Sequence, residues 1–277
     1  SLLSGHERDS GGTAAHWAAL VGMLAVLREL HRRGVPLVTP IAGDYRAQGM
    51  MPVHWACSSG KILVVRELVR DLGCSVDAAG FKGQTPAHLA AQYDHGTLLV
   101  WRARHGADLG LLDDEGDNAV QWAAYKGAAS ALCVLLCAGA GVRDQDHHGS
   151  NALHLAASRG PAAAAQQLLL HEDAPCLCRA TDAKGRTPAA LAAERNFGSL
   201  AEACAAPPAS DAARAVAEAG ARVYVAALEA TVAAVEWAGE AASGWDRSLL
   251  LDGGAARAPD GGGLMQCREM MPAPPDD

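Results

Sequence analysis

Aromatic side chains are scarce in this chain of 277 residues: Phe, Tyr and Trp together make up 4%. Half the residues are still hydrophobic, so the chain as a whole is not disordered. It is long enough to bury a core and to form one or two domains. Positive charge is also short: 23 Lys and Arg face 31 Asp and Glu, a net charge of −8. That balance argues against non-specific nucleic-acid binding, which needs a basic face, without forbidding a local basic patch. No run of about 18 apolar, uncharged residues occurs, so no membrane span and no membrane insertion by this chain is expected. The best candidate, Val223 to Gly239, is interrupted by Glu229 and Glu236. The eight Cys (57, 74, 133, 137, 176, 178, 204 and 267) form no regular framework and read as reduced cytosolic thiols. No signal peptide stands at the start. The first residue is Ser1 and not Met, which suggests a fragment or a processed chain.

What the chain has instead is repetition. Thr13-Ala-Ala-His16-Trp17-Ala18-Ala19 aligns with Met51-Pro-Val-His54-Trp55-Ala56-Cys57. Four more copies follow. They are Thr85-Pro-Ala-His88-Leu89-Ala90-Ala91, Asn118-Ala-Val-Gln121-Trp122-Ala123-Ala124, Asn151-Ala-Leu-His154-Leu155-Ala156-Ala157 and Thr187-Pro-Ala-Ala190-Leu191-Ala192-Ala193. The starts 13, 51, 85, 118, 151 and 187 lie 38, 34, 33, 33 and 36 apart. A period near 33 with this core is the ankyrin signature.

Two further columns support the register. Gly11, Gly49, Gly83, Gly116, Gly149 and Gly185 precede each start by two, as a hairpin or tight turn with positive φ requires. Nine residues after each start stand Gly22, Gly60, Asp94, Gly127, Gly160 and Asn196, types that best tolerate the left-handed end of a short helix. Thr or Asn at the start can cap helix one, and Pro fits its first turn. Helix two carries apolar pairs: Val26 and Leu27 with Leu30, Val64 and Val65 with Leu68, and Leu132 with Leu135 and Leu136. One unit cannot bury its own faces, so units stack. Residues 38–50 should hold an enlarged loop. Arg102 and Ala103 stand where repeat three should be bulky and apolar, and Gln121 and Ala190 replace the recurrent His. Repeats one and six should be atypical caps.

The expected layout is a flank at 1–9, ankyrin repeats over 10–206, a helical extension at 209–243 and a disordered tail at 244–277. Pro207-Pro208 breaks the pattern between repeats and extension. Val216, Val223, Leu228, Val232 and Val235 are expected to dock the extension on the last repeat. The fold class is all-α: a solenoid of about six helix-turn-helix units with short β-hairpin loops.

Catalytic chemistry finds little support. His16, His54, His88 and His154 recur one unit apart, so they cannot converge on a metal, and structural hydrogen bonding is the better reading. Asp146-His147-His148-Gly149 lacks the Cys nucleophile of an acyl-transfer motif and reads as a loop tip. Cys133 with Cys137, and Cys176 with Cys178 in a loop, lack the second pair of a zinc site. No phosphate loop, Ser/His/Asp set or paired carboxylates stand out. No cofactor, metal or catalytic residue is expected.

Binding is better supported. Trp17, Trp55 and Trp122 sit on helix one and serve either inter-repeat packing or a concave, peptide-anchoring face. Tyr93 and Tyr125 join them as candidates. The loop tips Phe81, Lys82, Asp114, Glu115, His147, His148, Lys184 and Arg186 would rim that face. The expected partner is a protein or an extended peptide, bound by a monomer in the cytoplasm.

Certain strings are more specific. Met51-Pro-Val-His-Trp-Ala-Cys-Ser-Ser-Gly-Lys-Ile62, Pro86-Ala-His-Leu-Ala-Ala-Gln-Tyr93, Gln121-Trp-Ala-Ala-Tyr-Lys-Gly127 and Thr187-Pro-Ala-Ala-Leu-Ala-Ala-Glu-Arg-Asn196 occur in this order. Over roughly residues 10–205 the chain resembles the ankyrin half of the ankyrin-containing Asp-His-His-Cys palmitoyltransferases of plant and protist type. That resemblance implies a cytosolic array on Golgi or endomembranes that recruits substrates to a membrane-embedded, zinc-binding Cys-rich domain. Trp55 matches the family's groove Trp, whereas the polar partner expected on the preceding repeat falls at Val21. The family's membrane helices and catalytic motif do not occur in this sequence. The expectation is therefore a binding module, alternatively the recruiting part of such an enzyme with its catalytic region lying elsewhere.

Overall fold

The structure, a computed structural model, describes residues 12–41, 48–160, 162–205 and 211–243. The flank 1–9, Gly11, most of the enlarged first loop (42–47), Pro207-Pro208, Cys267 and the tail 244–277 lie outside the described residues. The chain divides into two units, Ser1–Glu236 and Trp237–Asp277, and the repeats lie in the first.

Each repeat start is followed at once by a helix. The first helices are α1 (Ala14–Val21), α3 (Pro52–Ser58), α5 (Pro86–Gln92), α7 (Ala119–Lys126), α9 (Ala152–Arg159) and α12 (Pro188–Glu194). The second helices are α2 (Leu24–Arg32), α4 (Ile62–Arg66), α6 (Gly96–Arg104), α8 (Ala129–Cys137), α10 (Ala162–Leu170) and α13 (Gly198–Ala205). Pro52, Pro86 and Pro188 take the first helical position, where no N–H is needed. Asn118 and Asn151 accept the backbone N–H three residues on, at 3.0 Å. All six residues of the ninth-position column have positive φ, including Asp94 at 59° and Asn196 at 64°. First helices pack on first helices in one row and second on second in another, which is the stacking that short amphipathic units demand.

The interior is made of small residues. Ala19, Ala56, Ala90, Ala123, Ala156 and Ala192 are fully buried where first helices meet. Bulk comes from the second helices, among them Leu27, Leu98, Leu132, Leu135 and Leu168, and from Leu68 on the π-helical turn Glu67–Asp71 that continues α4. Val26 departs from expectation and is exposed, because among the described residues no second helix of a preceding repeat lies alongside α2 to cover it. In repeat three, Trp101 supplies the missing bulk and is fully buried. Arg102 is buried too. It donates to the carbonyl of Val76 and reaches Asp77 at 3.3 Å, while its Nε and Nη1 have no partner.

Three local features differ from the sequence reading. The loops close as tight turns through short-range backbone bonds, such as Asp113 N to Asp117 O at 2.9 Å and Gly116 N to Asp113 O at 3.0 Å, and no strand forms among the described residues. Neighbouring loops add one bond apiece: Asp114 N to Lys82 O, His147 N to Glu115 O and Ala183 N to His148 O. Second, Cys176 and Cys178 lie on a short helix, α11 (Ala174–Arg179), whose Leu177 and Cys178 are buried. Burial there favours a closed turn over an open loop.

The third difference is the extension. It is one helix, α14 (Asp211–Ser243), rich in Ala as a long helix prefers. It runs back along the second-helix row instead of docking on the last repeat. Cys133 of repeat four donates to the Ala221 carbonyl at 3.9 Å, and Tyr224 Oη donates to Ser130 Oγ at 2.8 Å. Further along, Trp101 Nε1 donates to Glu236 Oε1 at 2.9 Å, and Arg66 Nη1 donates to the Glu236 carbonyl at 3.2 Å. Val232 is fully buried, whereas Val216 and Val223 are exposed. The second helices present a longer apolar surface than the last repeat alone. Small Gly96 lets Leu228 come close, since a Cβ added there would lie 3.3 Å from Leu228 Cδ1.

Candidate functional site

The recurrent His residues are structural, and their geometry shows why. In His54, Nδ1 accepts the Met51 N–H at 3.0 Å, and Nε2 donates to the Ala78 carbonyl at 2.9 Å. His88 repeats this with Thr85 N at 3.0 Å and Asp117 O at 3.0 Å. His154 uses Asn151 N and Arg186 O, and His16 uses Thr13 N and Met50 O. Each ring thus satisfies its own helix start and the loop of the next repeat. Gln121 does the same with an amide, accepting Asn118 N at 2.9 Å and donating to Ser150 O at 3.1 Å. Burial keeps the rings of His54, His88 and His154 neutral: it pushes His54 down to about 4 and lowers the other two.

Among the described residues the aromatics form the chemically distinct face. Trp17 is 40% exposed, and Trp55 and Trp122 are half-buried, at the same position of α1, α3 and α7. Trp17 and Trp55 meet edge to face, centroids 5.1 Å apart, and His16 approaches Trp55 at 5.4 Å. Trp122 is fixed by its indole N–H, which donates to Asp113 Oδ2 at 2.9 Å. Tyr125, one turn on from Trp122, carries the Arg159 guanidinium 4.5 Å above its ring and Lys126 at 5.6 Å. Tyr93 is 52% exposed at the end of α5. Leu89, the Trp-equivalent of repeat three, is buried, so the row is interrupted there.

The loop tips stand beside this row. Lys82 and Glu115 pair at 3.1 Å, which holds the Glu115 carboxyl below its ordinary range. Asp114, His147, His148 and Lys184 are exposed, and Phe81 is half-buried on a 3₁₀ turn over Phe81–Gly83. Arg186 is committed to Asp182 at 2.7 Å and Glu194 at 2.9 Å. Asp146 accepts the N–H groups of His148 and Ser150, and Gly149 has φ 74°, so Asp146-His147-His148-Gly149 is a loop tip. Asp113 and Asp182 brace their loops in the same way.

Arg159 and Asp113 were not singled out from the sequence. Arg159 occupies the position of Lys126 one repeat on, and Asp113 the position of Asp146, so column comparison could have found both. Asp117 was also missed. Burial and the charges of Asp113, Asp146 and Glu115 push its carboxyl up to about 7. His171, Glu172 and Asp173 bring ligand atoms within 4.8 Å of one another. Asp173 is already paired with Arg143, and His171 Nδ1 accepts the Asp173 N–H at 3.2 Å, so this cluster is no open metal site. The seven described cysteines are all free thiols. No helix among the described residues is long and apolar enough to cross a membrane.

Residues 48–80 match the family model described as ankyrin repeat, and residues 122–206 match that of ankyrin repeats in three copies. No curated protein matches the chain. The stacked helix pairs, the left-handed helix ends and the bridging His column agree with these matches, and the chain therefore carries ankyrin repeats.

Proposed function

We propose that the chain binds an extended segment of another protein along its first-helix face, between the aromatic row and the loop tips. The supporting observation is the partial exposure of Trp17, Trp55, Trp122 and Tyr125 on the first helices of repeats one, two and four. Aromatic side chains give large contact area for few lost rotamers and dominate binding where they anchor a partner. On this reading the protein is an adaptor or scaffold of the cytoplasm, and its free thiols suit a reducing compartment. The test is selection of peptides from a displayed random library on the immobilised chain. Trp55→Ala should weaken a selected peptide by about 1–3 kcal/mol with the helical signal unchanged. If Trp55→Ala and Trp122→Ala both bind as the parent does, the aromatic row is not the site.

A second reading draws on Trp55, which lies on the first-helix face of repeat two, the place of the groove Trp in the ankyrin-containing palmitoyltransferases. There the repeats recruit substrates for protein S-palmitoylation at a cytosolic membrane face. Native protein detected with an antibody to the repeats separates the two. A membrane-retained band much larger than 28.5 kDa supports recruitment to an enzyme, and a soluble band near 28.5 kDa supports the adaptor.

A further inference from the structure

α14 is apolar on two faces, and the repeats use only one. The docked face carries Ala221, Val225, Leu228, Val232 and Val235. On the other side Val216, Ala219, Val223, Ala226, Ala230 and Ala233 alternate at steps of three and four, and every one of them is exposed. Val216 is 73% and Val223 72% exposed, and no charged residue interrupts the series. Steps of three and four are the spacing of a helix-pairing seam. The seam has one small flank, Gly220, Ala227 and Ala234, and one charged flank with Arg222 and Glu229 seven residues apart. Arg222 reaches only Glu218, at 3.8 Å, and Glu229 has no ion pair among the described residues.

We infer that this face pairs with the same face of a second copy of the chain, antiparallel and about a two-fold axis. The charge pattern selects both the occupant and the direction. In an antiparallel pair the charged flanks face one another, so Arg222 meets Glu229 of the second copy and Glu229 meets its Arg222. In a parallel pair the charged flank faces the small flank, and both charges oppose Ala. The antiparallel register that joins the charges also sets Val223 against Ala226 and Val216 against Ala233 of the second copy. Large then meets small along the seam, and Gly220 faces Ala227, so the helices can approach closely. The docking of α14 on the repeats is undisturbed, because it uses the opposite side of the helix. The monomer expected in the sequence reading gives way to a two-fold dimer on this inference.

Sedimentation of the full chain across a micromolar concentration series tests it. The mass should rise from 28.5 kDa toward twice that value. Val223→Glu should remain at 28.5 kDa throughout and melt as the parent does at its lowest concentration, because Val223 is exposed and supports no contact within the chain. Arg222→Glu and Glu229→Arg should each raise the dimer dissociation constant about tenfold. The double exchange should restore it. A parent chain that stays at 28.5 kDa at every concentration overturns the inference. So does a dimer that survives Val223→Glu, or a double exchange that remains as weak as either single variant.

Discussion

His16, His54, His88, Gln121 and His154 hold two repeats together from one position, each by one bond inward and one bond onward. The chemistry asks for an acceptor and a donor about one ring-width apart, and neutral His or Gln supplies both. Neutrality gives these rings a pH signature. An unfolded chain protonates His near 6.5, whereas burial holds His54 near 4. Between those values the unfolded state binds more protons, so stability rises with pH. It is fully present above about 6.5 and is lost as pH falls toward 4. His54→Gln should keep both bonds, as Gln121 does, and lose its share of that slope. Melting temperatures of parent and variant between pH 4 and 7 decide this, and parallel curves would refute it. His54→Ala leaves a cavity and two unmet backbone groups and should cost on the order of 2–4 kcal/mol. This column was legible in the sequence because repetition exposes it. The equivalence of Gln121 was not, because it appears only when both bonds are seen.

At the scale of elements, the helices declared themselves through period and punctuation. Left-handed helix ends at Gly22, Asp94 and Asn196 and turn glycines at Gly83 and Gly149 could be read from residue type, since few others adopt positive φ without strain. Second helices were harder. Their buried positions depend on what lies alongside, so Val26 reads as core yet is exposed in the first repeat, and Arg102 reads as misplaced yet serves the Val76 carbonyl. Leu135 tests the register of repeat four. It is fully buried in α8 beside Leu132 and Ala131. Leu135→Ala should destabilise by about 2–5 kcal/mol through lost burial and the cavity left behind. Leu136→Ala, half-buried on the same helix, should cost clearly less. Chemical denaturation of the pair gives the comparison, and equal losses would mean the stripe is assigned to the wrong face. The candidate site was legible only in part. Trp17, Trp55 and Trp122 share a column, but the fixing of Trp122 by Asp113 of its own loop and of Tyr125 by Arg159 of the next repeat appears only in the folded chain.

Over the whole array, each repeat touches its neighbours and little else, so stability should be a sum of local terms that can fail separately. α14 changes that. Its contacts at Ser130, Gly96, Trp101 and Arg66 join repeats two, three and four across up to 170 residues of sequence. No periodic pattern announces such a contact, because α14 has no counterpart elsewhere in the chain, and the sequence reading placed it on the last repeat. A strap that spans three units makes them open together: exposing one second helix breaks contacts to the others. Removing residues from 211 onward should therefore lower the melting temperature and broaden the transition. Amide exchange should locate the loss. Protection should fall first in α4, α6 and α8, which α14 covers, while α9, α12 and the His-bridged loop at Arg186 should hold. Uniform loss across all six repeats would instead mean that α14 supports the array as a whole and not the units it touches. Unchanged exchange in α6, whose Trp101 would have lost Glu236, would mean that α14 does not couple the repeats at all.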